Sequence, residues 1–437
     1  MYEKTFRIVT LGCKVNQYES AYLGEALANS GWIPAKDKEK AGVIIVNTCI
    51  VTQKASRQSR QAIRKAIREN PERCVAAIGC YAQVFPDELA GIDGISLIAG
   101  NCVKQDVPRL VEEIFVSGGK KIVCRKFDRK RPFDFMPVKG LPGRSRAFLK
   151  IQDGCEAFCS YCIVPFARGH YRSLMPRDVL FMLRSLADQG FKEVVLTGIH
   201  IGKYGVDLQP RVSLTGLLKI IDREKLPLRI RISSIEPDEI DSGLIDMMAS
   251  EKWLCRHLHI SLQSGDDHIL QGMGRRYTVR DFADVVSSVY MKAPFAAIGV
   301  DVISGFPGET DREHMNTLYC LQDLPVSYFH VFPFSPRYGT AAFDFKERVN
   351  SGTVKQRTAQ LRSLAGEKKR RFYTRCLNMK FATVVEGWHC HKKGIMRGIT
   401  DNYIPVLFSS AGINPGSVCN VSIKQVKQDA AFGEIVS

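Results

Sequence analysis

The chain has 437 residues, of which 45% are hydrophobic and 24% are charged, a composition typical of a globular protein of about three domains. Its formal net charge of +17 favours polyanionic partners, and its fourteen cysteines indicate metal binding or catalysis if the compartment is reducing. No signal peptide fits the opening residues and no run of 18 apolar residues occurs, so the sequence predicts a cytoplasmic protein without membrane spans.

Residues 1–116 alternate between short apolar runs and helix-length amphipathic stretches, which predicts a parallel α/β sheet. The predicted strands are 6–12, 43–48 and 74–79, and the cysteines that directly follow them are Cys13, Cys49 and Cys80. Because the carboxyl ends of parallel strands form one edge of a sheet, we expect these cysteines to form a metal site there. The alternative is that they are ordinary buried cysteines.

Two stretches of the sequence are strongly basic. A predicted helix after Cys49 carries arginines at helical spacing, namely Arg57, Arg60, Arg64 and Arg68, which would form one basic face. Residues 117–140 have the Lys, Arg, Gly and Pro content of a linker, and residues 117–150 hold eleven Lys or Arg, including Arg144 and Arg146, against two Asp. Such stretches are often only solvated, but here they predict contacts with nucleic-acid phosphates.

From residue 141 to residue 373 the sequence runs through six further strand–helix cycles. The predicted strands are 147–152, 193–198, 229–234, 257–262, 299–304 and 328–333. Six βα units predict a partial TIM-like barrel whose chemistry lies on the loops after the strands. His200 follows the second of these strands, where a lone histidine is more often structural than catalytic. Residues 374–437 have the short, broken apolar runs of a small antiparallel β-barrel.

The loop after the first barrel strand, GCEAFCSYCIVP at 154–165, contains Cys155, Cys159 and Cys162. Structural zinc needs a fourth ligand, for which His170 is the nearest candidate, so a zinc-stabilised RNA-binding protein without enzymatic activity is one alternative. An iron–sulfur cluster of four irons normally takes four thiolates. Three thiolates would leave one iron open, where a small molecule can bind and accept an electron.

This CxxxCxxC loop resembles that of the radical S-adenosylmethionine (radical SAM) superfamily. The resemblance implies a [4Fe-4S] cluster whose open iron is chelated by SAM, and one-electron cleavage of SAM to a 5′-deoxyadenosyl radical. The segments LTGIH, ISSIEP, DVISGFPGET and FHVFPFSP after later strands match the places where the superfamily binds its cofactor. The resemblance assigns cofactor contacts to Tyr161, Gly198, Ser234, Glu236, Ile303 and Phe334.

The stretches TLGCKVNQYES, NTCIVTQKASRQSR and AIGCYAQ resemble the N-terminal domain of tRNA methylthiotransferases. Residues 141–373 resemble their radical SAM core, and residues 374–437 resemble the RNA-binding TRAM domain. The motif GCKVNQYES is most similar to the MtaB branch, which acts on N6-threonylcarbamoyladenosine.

The MtaB resemblance implies transfer of a methylthio group to carbon 2 of that nucleoside at position 37 of tRNA. It implies two SAM molecules and two [4Fe-4S] clusters, with the auxiliary cluster held by Cys13, Cys49 and Cys80. The implied partners are a tRNA anticodon loop, with the six arginines named above as phosphate ligands, and an electron donor such as flavodoxin or ferredoxin. The alternative within the family is the same chemistry on N6-isopentenyladenosine.

Overall fold

The computed structural model describes residues 3–36, 40–71, 73–140, 143–388, 394–409, 412–427 and 430–436. The chain divides into two compact units. The N-terminal unit comprises Met1–Pro142, Gln152–Leu174 and Ser335–Phe343, and the barrel unit comprises Gly143–Ile151, Met175–Phe334 and Asp344–Ser437. The units interleave along the chain, and the domain boundaries near residues 116, 140 and 373 stay predictions.

The N-terminal unit contains a six-stranded parallel sheet in the order β2-β1-β3-β4-β5-β6. Its strands are β1 Thr5–Thr10, β2 Ile33–Pro34, β3 Val43–Thr48, β4 Cys74–Gly79, β5 Leu97–Ala99 and β6 Lys121–Val123. The predicted strands at 6–12, 43–48 and 74–79 are confirmed. The predicted linker 117–140 contains β6, which adds an edge strand to the sheet.

Helices cover both faces of this sheet, because the central strands are apolar on both sides. Val43 and Ile45 of β3 belong to one buried apolar cluster, and Ile44 and Val46 belong to another. The helices are α1 Lys14–Asn29, α2 Gln53–Glu69, α3 Cys80–Val84, α4 Pro86–Ala90, α5 Val107–Ser117 and α6 Val164–Arg168, with a 3₁₀ helix at Asn101–Asp106 and two short strands, β8 Gln152–Asp153 and β9 Arg172–Ser173.

The barrel unit contains six parallel strands, arranged as β7-β10-β11 and β12-β13-β14. Parallel bridges from Ile230 to Leu254 and from Ile235 to Ile260 join the two groups, which confirms the partial (βα)6 barrel. The strands are β7 Ala147–Lys150, β10 Glu193–Thr197, β11 Arg229–Ile232, β12 His257–Gln263, β13 Ala297–Ser304 and β14 Tyr328–Pro333.

Helices follow the barrel strands and begin at clear sequence signals. Pro176 occupies the first position of its helix, and Thr310 forms a reciprocal capping box with Glu313, as such residues do at helix N-termini. The helices are α7 Pro176–Asp188, α8 Leu214–Arg223, α9 Ser242–Ser250, α10 Asp267–Gly272, α11 Val279–Lys292, α12 Asp311–Asp323 and α13 Ser351–Arg375, with 3₁₀ helices at Ile201–Lys203 and Pro237–Glu239; a further one, Ala341–Phe343, lies in the N-terminal unit.

The chain after α13 forms a closed five-stranded barrel in the order β15-β16-β17-β19-β18, as predicted. Its strands are β15 Lys380–Trp388, β16 Ile395–Thr400, β17 Pro405–Ser409, β18 Val418–Lys427 and β19 Ala430–Val436. Four of its strand pairs are antiparallel, whereas β17 and β19 pair in parallel and close the barrel. Across the described ranges, no helix combines the length and the apolar character needed to span a bilayer.

Candidate functional site

The three cysteines that follow strands of the N-terminal sheet lie at one edge of it. Their strands, β1, β3 and β4, are adjacent. A Cβ atom added to Gly12 would lie 2.8 Å from Cys49 Sγ, so the turn before Cys13 is in contact with Cys49. The thiol of Cys80 interacts electrostatically with the thiols of Cys13 and Cys49. The structure therefore brings the three thiols together.

The environment of these thiols disfavours their charged form in the absence of metal. Burial, together with the neighbouring Cys80 thiol, raises the pKa of Cys49 to about 11. Desolvation also raises the pKa of Cys13, opposed by the positive charge of Arg168. The Cys13 residue is nevertheless exposed to solvent. Because thiolates are the metal-binding form, metal binding here would release protons.

Buried polar side chains contact the loops that carry these cysteines. Asn101 donates from Nδ2 to Cys80 Sγ at 3.3 Å. Asn16 donates from Nδ2 to the carbonyl oxygens of Leu11 and Thr48, at 2.7 and 3.0 Å, and Thr48 directly precedes Cys49. Sequence reasoning missed both asparagines, and their only signal was the proximity of Asn16 to Cys13 in the motif GCKVN.

A buried ion cluster lies beside the asparagines. The guanidinium of Arg168 donates to Asn16 Oδ1 at 2.6 Å and to Glu19 Oε1 at 2.5 Å. The other oxygen of Glu19 accepts from Lys104 Nζ at 2.5 Å. Burial lowers the pKa of Lys104, and Glu19 opposes that shift. A carboxylate with two cationic partners satisfies the requirement that a buried charge be paired. No sequence pattern indicated this ion cluster.

The three-cysteine loop also lies in the N-terminal unit and is tightly folded. The amide of Cys155 donates to the carbonyl of Gly169, and the amide of Cys162 donates to that of Cys159, both at 2.9 Å. Gly154 has φ +78°, and a Cβ there would lie 1.7 Å from the carbonyl oxygen of His170. Cys159 is buried and the other two cysteines are half-buried. Local backbone geometry thus fixes the loop before any metal binds.

The donor set does not fit a single zinc ion. His170 was the nearest candidate for a fourth ligand. Its Nε2 lies 3.2 Å from the carbonyl oxygen of Arg131, so this nitrogen already has a hydrogen-bond partner. Within the residues that the structure describes, no three His, Cys, Asp or Glu side chains converge as ligands of one metal ion. In a four-iron cluster each thiolate binds its own iron, so its ligands need not converge on one point. Two sets of three cysteines fit such clusters better than they fit zinc.

The predicted SAM contacts fall into both units. Tyr161 is half-buried in the three-cysteine loop. The others lie at or after the carboxyl ends of β10, β11, β13 and β14, with Ser234 exposed and Gly198, Glu236, Ile303 and Phe334 half-buried. The carboxylate of Glu236 pairs with the buried Arg275, and the ring of Phe334 packs edge-on against Phe306 at 5.4 Å. Glu236 is therefore already held by a cation of this chain.

His200 lies in the barrel unit and pairs with a buried carboxylate. Its Nε2 is 2.7 Å from Glu239 Oε1, and Lys203 Nζ is 3.0 Å from the same oxygen. This pairing supports the structural interpretation of His200.

The six arginines predicted to bind RNA differ in their availability. Arg57, Arg64, Arg68 and Arg144 are exposed. Arg60 donates to the hydroxyl of Tyr81 at 2.5 Å, and Arg146 pairs with Glu386 at 2.7 Å and with Glu193 at 3.3 Å. Arg60 and Arg146 thus have partners within their own units, whereas the other four arginines are exposed.

Two family models match the chain. "Uncharacterized protein family UPF0004" matches residues 5–100, which include the three strand-end cysteines. "Radical SAM superfamily" matches residues 149–319, which include the three-cysteine loop and most of the partial barrel.

Curated relatives match the chain over nearly its whole length. The threonylcarbamoyladenosine tRNA methylthiotransferase MtaB of Bacillus subtilis is 34% identical over 98% of this chain and 95% of its own length. The protein of the same name from Aquifex aeolicus is 37% identical over 91% of this chain and 95% of its own. A tRNA-2-methylthio-N(6)-dimethylallyladenosine synthase of Natranaerobius thermophilus is 30% identical over 99% of this chain and 97% of its own length.

Solved structures share the fold at low sequence identity. The radical S-adenosylmethionine methyltransferase TsrM from Kitasatospora setae superposes with a TM-score of 0.56 at 18% identity, over 75% of this chain and 73% of that one. The cobalamin-dependent S-adenosylmethionine radical enzyme OxsB superposes with a TM-score of 0.51 at 11% identity, over 85% of this chain and 57% of that one. At these identities the likeness concerns the fold alone.

Proposed function

This chain belongs to the MtaB branch of the radical SAM tRNA methylthiotransferases, and we propose that it transfers a methylthio group to carbon 2 of N6-threonylcarbamoyladenosine at position 37 of tRNA. The observation that carries this proposal is the grouping of Cys13, Cys49 and Cys80 at one sheet edge, in the same compact unit as the three-cysteine loop. A radical SAM enzyme that only generates a radical needs one cysteine triad, whereas one that also supplies sulfur has a use for two.

We assign the two triads to two [4Fe-4S] clusters. Cys155, Cys159 and Cys162 would hold the cluster that binds SAM, and Cys13, Cys49 and Cys80 would hold the auxiliary one. When bound, the first cluster would supply the electron that cleaves SAM to a 5′-deoxyadenosyl radical, and the auxiliary cluster would carry the sulfur to be transferred, with a second SAM as the methyl donor. Replacing an aromatic C–H by C–S–CH₃ is chemistry that proteins delegate to cofactors. The protein's own part is to position the cofactors and the adenine and to exclude water.

Four residues at strand ends of the barrel unit are further proposed contacts for SAM. Gly198, Ser234, Ile303 and Phe334 lie at the carboxyl ends of barrel strands, where barrels of this type bind their ligands. Gly198 would let the backbone approach the methionyl group, and Ile303 and Phe334 would flank the adenine. Glu236 is retained as a contact for polar parts of SAM, with Arg275 fixing its orientation.

The substrate partner would be the anticodon loop of tRNA, and the site of action the cytoplasm. Single-stranded loops let a base leave its stack and enter a pocket. Arg57, Arg64, Arg68 and Arg144 would contact phosphates, together with the C-terminal barrel. A flavodoxin or a ferredoxin would supply the electron.

Separate replacement of the two triads tests the proposal. We expect Cys155→Ala to abolish formation of 5′-deoxyadenosine from SAM, and Cys13→Ala to keep it while making no methylthio product. Iron content per protein should fall in both variants but not in Cys320→Ala, which removes a half-buried cysteine of α12. Loss of SAM cleavage in both triad variants would contradict the division of roles.

The nucleoside itself is tested in cells. Mass spectrometry of tRNA nucleosides from cells that lack the gene should show loss of 2-methylthio-N6-threonylcarbamoyladenosine. If that nucleoside persists and the methylthio form of N6-isopentenyladenosine disappears, the enzyme acts on the other substrate of the family.

A further inference from the structure

Three buried polar residues connect the loop that follows the radical SAM cysteines to the strand-end cysteines. Asn16, Asn101 and Arg168 are 1%, 6% and 1% exposed. Arg168 ends α6, six positions after Cys162, whereas Asn16 and Asn101 belong to the α1 region and to the 3₁₀ helix after β5. All three lie in the N-terminal unit.

Each asparagine contacts both the cysteine region and the α6 region. Asn101 Nδ2 donates both to Cys80 Sγ, at 3.3 Å, and to the carbonyl oxygen of Ala167, at 2.8 Å. Asn16 Nδ2 donates to the carbonyl oxygen of Leu11, two positions before Cys13, at 2.7 Å, and Asn16 Oδ1 accepts from Arg168 at 2.6 Å. The amide group of Asn16 also holds the carbonyl of Thr48, directly before Cys49. The Cys80 thiol and the backbone that precedes Cys13 and Cys49 are therefore linked to residues 167 and 168.

Arg168 adds a permanent positive charge to this arrangement, since arginine stays protonated in proteins. Its charge interacts with the thiols of Cys13 and Cys80. Glu19 partly neutralises Arg168, and Lys104 is a second partner of Glu19. Removing the guanidinium would therefore make the surroundings of the cysteines more negative by one unit, while Glu19 would keep a cationic partner.

Two atoms of this group are buried with no hydrogen-bond partner among the residues that the structure describes. They are Arg168 Nε and Asn101 Oδ1. Buried polar atoms are paired in the great majority of cases, and unpaired ones call for a physical explanation. The unpaired N–H of Arg168 is a donor available to a bound anionic group.

We propose that Asn16, Asn101 and Arg168 are the positioning residues of the auxiliary cluster, holding its three cysteines in place and setting its charge environment from the loop that carries the other cluster. This inference rests on the proposed second cluster. Hydrogen bonds to the sulfurs and the local net charge are among the factors that set the reduction potential of an iron–sulfur cluster. Because reduction adds a negative charge, a nearby cation and an N–H donor both favour the reduced form.

The test measures the auxiliary cluster alone. In a protein with Cys155→Ala, Cys159→Ala and Cys162→Ala, the remaining cluster is reconstituted anaerobically, and its midpoint potential and electron paramagnetic resonance spectrum are recorded. We expect Asn101→Leu and Arg168→Met each to shift the potential to more negative values and to alter the spectrum. The matched control is Arg109→Met, which removes an exposed arginine paired with Glu113 and should leave both unchanged.

The outcomes separate this inference from the proposed function. An iron–sulfur spectrum whose potential is the same in Asn101→Leu, Arg168→Met and the parent protein would overturn the inference and leave the second cluster standing. If the protein with Cys155→Ala, Cys159→Ala and Cys162→Ala binds no cluster, both this inference and the proposed second cluster are overturned. Circular dichroism spectra and iron content equal to those of the parent would show that a shifted potential does not arise from misfolding.

Discussion

Arg231 and Glu193 form a fully buried ion pair in the barrel unit, with Nε of Arg231 2.8 Å from Oε1 of Glu193. Arg229 binds the other carboxylate oxygen of Glu193 at 2.6 Å. Both arginines then donate to backbone carbonyls of the C-terminal β-barrel, Arg229 to Ala382 and Arg231 to Thr400. One carboxylate at the start of β10 thus orients two guanidinium groups that join the partial (βα)6 barrel to the β-barrel after it.

We expect Glu193→Gln to lower the free energy of unfolding by about 3–5 kcal/mol, because it leaves buried arginine charges without their carboxylate. Chemical denaturation followed by circular dichroism measures this change. The control is Glu224→Gln, which breaks the more exposed pair with Arg184 and should cost less than about 1 kcal/mol. Equal losses of unfolding free energy in the two variants would show that the buried ion pairs of Glu193 stabilise the fold no more than the exposed pair does.

The same carboxylate should make stability depend on pH. Burial alone would raise the pKa of Glu193, but the charges of Arg231 and Arg229 outweigh it and hold the pKa far below its usual range. A lowered pKa in the folded state contributes stability that is fully present above the unfolded-state pKa of about 4.3 and is lost as the pH falls below it. The difference in unfolding free energy between the parent protein and Glu193→Gln should therefore be constant above about pH 5.5 and shrink towards pH 3. If this difference stays constant down to pH 3, the pKa of Glu193 is not lowered by the two arginines.

The pattern of apolar runs was sufficient to predict nine of the parallel strands, since each is a short local segment bounded by turn residues, but it missed β2, β5 and β6. The run at 43–48 became β3 with the same bounds. Strand β6 was missed because it has three residues, Lys121–Val123, inside a basic stretch. Its strand conformation is evident only from its pairing with β5, a contact between segments that are separated in the sequence.

The cysteines of the candidate site were predictable from their placement after strands, but their polar surroundings were not. Arg168 and Glu19 are 149 positions apart in the sequence and meet only in the folded chain. No periodicity marks a buried charge whose partner is this distant. Arg146 is a second example of a partner that the sequence did not reveal. Its basic neighbours suggested RNA contact, whereas the structure pairs it with Glu193.

Gly154→Ala should impair the three-cysteine loop. A Cβ at this position would lie 1.7 Å from the carbonyl oxygen of His170, so the backbone on both sides of the contact must move. We expect a loss of iron from the reconstituted protein and little formation of 5′-deoxyadenosine. The control is Gly190→Ala, which has a similar φ of +88° but no neighbouring atom within 4 Å of the added Cβ. It should cost roughly 1–2 kcal/mol of stability from backbone strain and keep its iron, whereas equal iron loss in both variants would point to strain alone.

Arg64→Gln should weaken RNA binding in a salt-dependent way, if α2 contacts phosphates. Arg64 is exposed on α2, whereas Arg60 on the same helix already donates to Tyr81 and lies 3.9 Å from Glu88. Each lost phosphate contact lowers the slope of log K against log salt by about 0.7–0.9. Fluorescence anisotropy with a labelled anticodon stem-loop over a series of KCl concentrations should show that decrease for Arg64→Gln and no change in slope for Arg60→Gln. Slopes that match the parent in both variants would remove α2 from the RNA-binding surface, and the C-terminal barrel and Arg144 would then have to supply the phosphate contacts.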